Sequence, residues 1–462
     1  MKESPVSHNI GAWFLGPKAE NAALQEEMIL YILRDYFHWR RNYFPSDQML
    51  ISRRMQRSYE DQHDLMIQQI GEMLASLRRH FPFYSPRYIG HMLSDQTLPS
   101  LLGYFAGMLY NPNNVTPEAA PVTVEWELEV GASILKMLGY HAPPTQSASA
   151  DDEPSDFGWS HMTSGGTVAN LEALWAARNI RYFPLAVHAV LRRENMPLDI
   201  HLPGAKTATA MATLDERQVL HIAPDEAIAL LSRFGDAVRR HFDISMEDAA
   251  TRSWSLLQAS GLSIAHSGTL PCFAKIEPVI FVSGSAHYSI AKSAEILGLG
   301  KDRVIQVAVD DHFRMDVADL EVKIRQSVAD GFFPLAVIAI AGTTEEGAVD
   351  PIHEIVALRS RLEHEQHVSF WLHIDAAWGG YIRSLFVEDA PASGSTEAQL
   401  AAVANFVART LPALDDQRVD WGNSEVGRAY LAFPASESVT IDPHKMGYSP
   451  YPAGIVAFRN DR

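Results

Sequence analysis

The sequence predicts an α/β protein in which a mostly parallel β-sheet carries helices on both faces and follows a helical N-terminal segment. Two observations lead to this prediction. Between residues 278 and 380, short apolar runs alternate with segments of helical periodicity, a pattern typical of parallel strands joined by right-handed crossovers. Within residues 20–80, apolar residues recur at helical spacing instead.

The N-terminal helices are predicted from periodicity. Leu24, Met28 and Ile32 share one helical face. Residues 111–114 read Asn-Pro-Asn-Asn, which breaks the pattern and predicts a loop. Helical spacing returns over residues 122–138. We therefore expect a helical segment to occupy residues 1–140.

The remainder, residues 141–462, is predicted to form one large domain. Residues 147–155 are small and acidic and predict an exposed loop. A helix is expected over 168–178, directly after a glycine-rich turn. Residues 196–275 have a less regular pattern and are interpreted as an insertion, with a helix at 226–242.

The sheet itself is predicted from five apolar runs, of which four alternate with helices. The expected strands are 279–282, 304–309, 335–341, 370–374 and 439–441, and the expected helices between them are 288–297, 317–329 and 352–364. Ligands of such sheets bind beyond the carboxyl ends of the strands. The residues that follow each strand are therefore the candidates for a site.

The charge composition argues against some classes of binding partner. With 56 acidic and 38 basic residues in 462, the net charge is -18, which repels nucleic-acid phosphates and anionic membrane surfaces. Nucleic acid and membrane are therefore not expected partners. The single cysteine, Cys272, and the polar N-terminus without a signal peptide favour a cytoplasmic protein. No metal site is predicted.

Four features could form a site, and each has a simpler interpretation. The turn at 164–167, Ser-Gly-Gly-Thr before a helix, could bind a phosphate or be a tight turn with a Thr167 cap. Asp375 ends an apolar strand and could pair with a cation, cap a helix or form a salt bridge. Lys445 follows another strand; it could be a solvated surface lysine or an amine suited to Schiff-base chemistry. His287, after the first strand, could be only a structural hydrogen-bonding group.

Five phrases, taken together and in order, resemble the group II pyridoxal-phosphate-dependent decarboxylases. They are TSGGTVANLEALWAARN, HYSIAKSAEILGLG, AGTTEEGAVDP, HIDAAWGG and SVTIDPHKMGYSPYPAG. The upstream phrases AWFLGPKAEN, RRNYFPSD, RYIGHMLSD and LYNPNNVTPEAAPVT are similar to the bacterial L-tyrosine decarboxylase branch. The resemblance implies an aspartate-aminotransferase-like fold with a seven-stranded sheet. It also implies pyridoxal 5'-phosphate as the cofactor and a homodimer whose helical N-terminal segments dock on the partner subunit.

The resemblance also implies a role for each matching residue. Lys445 would bind the cofactor covalently, Asp375 would pair with its ring nitrogen and His287 would stack on its ring. The other implied roles are phosphate binding by Gly165, Gly166 and Thr167 with help from Asp442, cofactor contact by Thr344, proton transfer by His444, and substrate contact by His91 and Ser94.

The implied reaction is decarboxylation of an aromatic L-amino acid, with tyrosine giving tyramine and carbon dioxide. The alternatives are another amino acid such as glutamate or an aliphatic one, cleavage of a different carbon–carbon bond, or a cofactor-binding chain with little activity. The chain ends at Arg462, soon after Lys445. The resemblance implies a mobile loop and a small C-terminal domain beyond that point, and we expect both to be missing from this chain.

Overall fold

A computed structural model describes residues 10–143, 157–386, 395–410 and 424–461. The chain divides into two compact units, one of residues 1–120 with 448–450, and one of residues 121–447 with 451–462. The loop predicted at 147–155 lies outside the described residues.

Helices outnumber strands within the described residues. The α-helices, in chain order, are α1 (Ala22–Asn42), α2 (Arg53–Arg57), α3 (Glu60–Leu77), α4 (Leu98–Tyr110), α5 (Thr123–Leu138), α6 (Gly166–Glu194), α7 (Glu216–Leu220), α8 (Pro224–Phe242), α9 (Met246–Ala259), α10 (Ile264–Ser267), α11 (Leu270–Phe273), α12 (Ser289–Ile296), α13 (Val317–Ala329), α14 (Ile352–Gln366), α15 (Thr396–Thr410) and α16 (Glu425–Leu431). The strands are β1 (Trp159–Thr163), β2 (Asp199–His201), β3 (Ala208–Ala210), β4 (Pro278–Ser283), β5 (Val304–Val307), β6 (Phe333–Ile340), β7 (Trp371–Asp375), β8 (Ser438–Ile441) and β9 (Gly454–Phe458). Short 3-10 helices occupy Ile10–Trp13, Met211–Thr213, Lys301–Arg303, Gly379–Phe386 and Phe433–Ala435.

The larger unit is built on a seven-stranded sheet with the order β1-β9-β8-β7-β6-β4-β5. Strands β8, β7, β6, β4 and β5 run parallel to one another, whereas β9 runs antiparallel to both β8 and β1. This arrangement confirms the mostly parallel, seven-stranded sheet. The strand β1 was not predicted, because its sequence, WSHMT, contains no apolar run.

The two faces of the sheet pack against different helices. One core joins the strands to α5, α13 and α14, and a second joins them to α6 and α12. Every residue of β4, β6, β7 and β8 is buried, as expected for strands covered on both faces. Because Leu135 and Leu138 of α5 belong to the first core, the large unit begins at Pro121, and the predicted boundary after residue 140 is too late.

Residues 196–275 fold around the C-terminal half of α6. They form the β2–β3 hairpin and helices α7 to α11. Their own core includes Val187 and Leu191 of α6 with Leu230 and Phe234 of α8. The helix predicted at 226–242 is present as α8, and the interpretation of this segment as an insertion stays a prediction.

The smaller unit is helical and little of it is buried. Helices α1 and α4 are in contact, and Trp39 packs against Tyr36 and Tyr110 with ring centroids 5.9 and 5.2 Å apart. Most of its large apolar side chains are exposed, among them Leu24 and Phe37 of α1. None of the described helices in either unit combines the length and hydropathy needed to cross a membrane.

Candidate active site

Topology brings most of the predicted residues to one edge of the sheet. His287 follows β4, Asp375 ends β7 and Asp442 follows β8, and these strands are parallel within the sheet. The turn at 164–167 follows β1, which has the same direction as β8 because both are antiparallel to β9. The carboxyl ends of all these strands therefore meet at one edge, where ligands bind in this class of fold.

Lys445 lies in a buried cluster of charged groups. Its Nζ is 3.0 Å from Oδ2 of Asp442, and the two side chains are 15% and 3% exposed. The Nε2 atom of His444 is 3.5 Å from the same oxygen. Burial raises the pKa of Asp442, while the charges of Lys445 and His444 oppose that rise. Its other oxygen, Oδ1, is buried and has no hydrogen-bond partner among the described residues.

His444 is held in one tautomer by the backbone. Its Nδ1–H donates to the carbonyl of Ala453, which can only accept. The neutral ring therefore carries no proton on Nε2, the atom that faces Asp442. Burial also lowers the pKa of His444, and its ring lies 3.7 Å from the ring of Tyr451, centroid to centroid.

The glycine turn is closely packed at Gly166 and against Gly454. Gly165 caps the N-terminus of α6, a helix of 29 residues. A Cβ on Gly166 would lie 2.9 Å from Oδ2 of Asp442, and a Cβ on Gly454 would lie 2.5 Å from the Cα of Gly165. The free backbone N–H groups and the helix dipole make such a terminus a site for a phosphate.

Asp375 is buried at the end of β7 and is held by two hydrogen bonds. Asn170 Nδ2 donates to its Oδ2 over 2.8 Å, and the Ala377 backbone N–H donates to its Oδ1 over 3.2 Å. His287 is half-buried, and its Nδ1 accepts from the Ser289 backbone N–H. Burial is the main cause that lowers the pKa of His287; the charge of Asp375 opposes this, so that carboxylate lies within electrostatic range of the imidazole.

Three predicted residues are not joined to this cluster. Thr344 is exposed in the turn after β6 and makes no side-chain hydrogen bond among the residues described. His91 and Ser94 belong to the smaller unit. There the ring of His91 stacks on Tyr88, with centroids 5.9 Å apart, and Ser94 Oγ donates to the Asp95 carbonyl. The roles of these three residues stay predictions.

Three buried polar residues next to the site were not predicted. Asn170, His373 and Ser438 are hydrogen-bonded to one another and to Asp375. A signal was present in the sequence: WLHID and SVTID alternate polar and apolar residues although both strands are buried. Polar side chains inside a sheet need partners, so this alternation indicates a polar network.

The residues at this edge fit one kind of ligand. The Lys445 amine can attack a carbonyl, the α6 N-terminus can hold a phosphate, and Asp375 Oδ1 can accept from a protonated ring nitrogen. The unpartnered Oδ1 of Asp442 indicates that a polar group is still to be bound there. Together they suit a flat ring that carries an aldehyde, a phosphate and a basic nitrogen.

Comparison with known proteins agrees with this chemistry. Residues 271–388 match the pyridoxal-dependent decarboxylase conserved domain. The chain is 34% identical to L-tyrosine decarboxylases of Levilactobacillus brevis over 461 residues and of Enterococcus faecalis over 468 residues. Each match covers 98% of this chain, and the chain spans 64% of each relative's length.

Among solved structures, the glutamate decarboxylase domain of diaminobutyrate-pyruvate transaminase and L-2,4-diaminobutyrate decarboxylase from Vibrio parahaemolyticus is similar. The likeness has a TM-score of 0.50 at 18% identity and covers 96% of this chain and 68% of that one. At that identity it shows the fold, which is the aminotransferase-like fold predicted from the sequence. The fold, the domain match and the relatives over nearly the whole chain agree with one another, and the chain is similar to the group II pyridoxal-phosphate-dependent decarboxylases.

Proposed function

We propose that this protein decarboxylates an aromatic L-amino acid and that its preferred reaction converts tyrosine to tyramine and carbon dioxide. The observation that carries the proposal is the buried Lys445–Asp442 pair at the sheet edge, close to the glycine turn of α6. The L-tyrosine decarboxylases of the two bacteria support the choice of substrate, because their similarity covers both units of this chain.

The family's cofactor is pyridoxal 5'-phosphate, and the residues of this chain divide its binding among them. Lys445 would bind it covalently, residues 165–167 would hold its phosphate, and Asp375 would face its ring nitrogen. His287 would cover one face of the ring. When bound, the cofactor supplies an electron sink for the electron pair left on the α-carbon after carbon dioxide departs.

Asp442 and His444 can move the proton that Lys445 must gain or lose as substrate replaces it. The Lys445 Nζ is 3.0 Å from Asp442 Oδ2, and that oxygen is 3.5 Å from His444 Nε2. Burial raises the pKa of Asp442 and lowers that of His444. Their proton affinities are thereby brought closer together, which suits transfer in either direction.

Asp375 would face the ring nitrogen of the cofactor and would hold a proton on it. Its carboxylate accepts N–H bonds from Asn170 and Ala377, which fix its position. A negative charge at that position would favour the protonated nitrogen, so Asp375 would contribute to the chemical step as well as to binding.

The substrate proposal is tested by incubating the protein with pyridoxal phosphate and tyrosine, phenylalanine, glutamate or an aliphatic amino acid, and measuring carbon dioxide. We expect tyrosine to react fastest, with a modest preference over phenylalanine, because His91 would offer the phenol a solvent-accessible partner. Lys445→Ala is the control that should abolish release. Glutamate as the best substrate, or cofactor binding without release from any amino acid, would contradict the proposal.

We also propose that the protein acts as a cytoplasmic homodimer. The helices of the smaller unit expose apolar side chains, including Leu24, Phe37 and Met66, and contiguous apolar surface marks an interaction site. A second copy is the partner implied by the family resemblance. Sedimentation should give twice the mass of the chain, and replacing these three residues by Ser should give monomers. A monomeric wild-type protein would refute the dimer.

A further inference from the structure

The strand that ends at Asp375 presents two different faces. Leu372 and Ile374 point into the core shared with α5 and α14. Trp371, by contrast, packs with residues of α6 in the second core. Because side chains alternate along a strand, Trp371, His373 and Asp375 all face α6. His373 lies in the middle of this row and is completely buried.

A continuous chain of hydrogen bonds runs through this row. Trp371 Nε1 is 2.9 Å from Ser438 Oγ, which is 2.9 Å from His373 Nδ1. His373 Nε2 is 3.0 Å from Asn170 Oδ1, and Asn170 Nδ2 is 2.8 Å from Asp375 Oδ2. We call this chain of five side chains the Asp375 relay.

The chemistry of the groups allows only one assignment of donors and acceptors along the relay, and we call this assignment its direction. An ionised Asp375 can only accept, so Asn170 must turn its Nδ2–H toward it and its Oδ1 toward His373. His373 must then donate from Nε2. Burial lowers the pKa of His373 to about 4, so the ring is neutral and its Nδ1 accepts from the Ser438 hydroxyl. Ser438 in turn accepts from the indole N–H of Trp371, which can only donate.

We propose that His373 is a positioning residue that acts through Asn170 to fix the orientation of Asp375 toward the cofactor nitrogen. The inference rests on the proposed function, since it concerns how Asp375 is prepared for that nitrogen. Without the Nε2–H of His373, the Asn170 amide oxygen loses its hydrogen-bond donor. The amide keeps its Nδ2 contacts with Asp375 and Ser289, but with one partner fewer it holds Asp375 less firmly.

The direction of the relay can be measured in the protein without cofactor. The chain is labelled with ¹⁵N-histidine, and the His373 signal is assigned by its loss in His373→Gln. We expect the neutral Nε2–H tautomer from pH 8 to pH 5. An Nδ1–H tautomer, or a ring that titrates near pH 6.5, would overturn the proposal whether or not the protein is a decarboxylase.

The effect on Asp375 is tested with two amide variants of His373. A glutamine amide nitrogen reaches as far as Nε2 and retains the donor to Asn170, whereas an asparagine amide reaches only as far as Nδ1. We expect His373→Gln to bind pyridoxal phosphate within about threefold of wild type, and His373→Asn to bind roughly tenfold to a hundredfold more weakly, as for loss of a bond to a charged group.

His188→Asn is the matched control for the general effect of replacing a buried histidine by asparagine. His188 is buried on α6, and its Nε2 is hydrogen-bonded to the Leu214 carbonyl. Its replacement should lower thermal stability without changing cofactor affinity. Equal affinity of His373→Gln and His373→Asn would overturn the proposal. A wild-type chain that binds no cofactor would refute the proposed function, and the tautomer measurement would still decide the direction of the relay.

Discussion

The contact between Gly454 and the glycine turn leads to the most specific structural prediction. Gly454 begins β9 and pairs with Thr163 of β1. A Cβ at this position would lie 2.5 Å from the Cα and 2.6 Å from the carbonyl carbon of Gly165, where ordinary contact starts at 3.4 Å. These are backbone atoms, so no side-chain rotation can relieve the clash. In Gly454→Ala, the strand and the turn must therefore separate by about 1 Å.

This displacement should weaken cofactor binding strongly. A shift of about 1 Å in a positioned group can cost on the order of 10²-fold, and overpacking typically costs about 1–3 kcal/mol of stability. We expect the dissociation constant for pyridoxal phosphate, measured by absorbance titration, to rise roughly tenfold to a hundredfold. The free energy of unfolding, measured in urea, should fall by about 1–3 kcal/mol.

Gly235→Ala is the matched control. Gly235 lies inside α8, and, apart from its chain neighbours and the backbone of its own helix, no atom of the described residues is within 4 Å of the position that its Cβ would occupy. Alanine is preferred over glycine in a helix by about 0.5–1 kcal/mol, so this variant should be slightly more stable and bind cofactor normally. If Gly454→Ala also binds as tightly as wild type, the turn does not hold the phosphate.

Three further predictions concern single side chains. Asp442→Asn removes the charge beside Lys445, whose side chain is 15% exposed, so urea unfolding should show a loss smaller than the roughly 3–5 kcal/mol of a fully buried pair; a loss of that full size would mean that the Lys445 charge is completely buried. Asp375→Asn keeps the size of the side chain and should lower the decarboxylation rate by orders of magnitude while the phosphate contacts preserve some cofactor binding; unchanged turnover would reject its role. Burial lowers the pKa of His221 to about 3, below its value in the unfolded chain, so protonation of the unfolded chain destabilises the fold as the pH falls below about 6.5. Between pH 7.5 and pH 5.5 the free energy of unfolding should fall by roughly 1.4 kcal/mol from this residue. His221→Gln should remove that part of the pH dependence, measured by urea unfolding at both pH values.

The sequence was sufficient to predict the sheet and the convergence of its residues. Apolar strands separated by helices require a parallel sheet, and parallel strands end at one edge, so His287, Asp375 and Asp442 could be placed together from the sequence alone. The edge strand β1 was not predicted because Ser160 and His161 interrupt its apolar residues. Similarly, the periodicity of α5 indicates a helix but does not indicate which unit buries it.

The Asp375 relay shows what local patterns cannot reveal. Asn170 and His373 are 203 positions apart in the sequence, and their contact depends on how α6 crosses the sheet. Alternation within β7 indicates that His373 needs a partner, but it does not identify Asn170. The unpartnered Asp442 oxygen is likewise visible only in three dimensions, since Pro443 and Lys445 beside it in sequence give no indication of its surroundings.

We propose that Lys445 is the residue that binds pyridoxal phosphate covalently. The protein is loaded with the cofactor and reduced with borohydride, and the labelled peptide is mapped by mass spectrometry. We predict a pyridoxyl group on Lys445, with none on Lys292, which lies over the Tyr288 ring, or on Lys301, which is 63% exposed and paired with Glu295. A label on Lys292 or Lys301, with Lys445 unmodified, would show that Lys445 does not bind the cofactor.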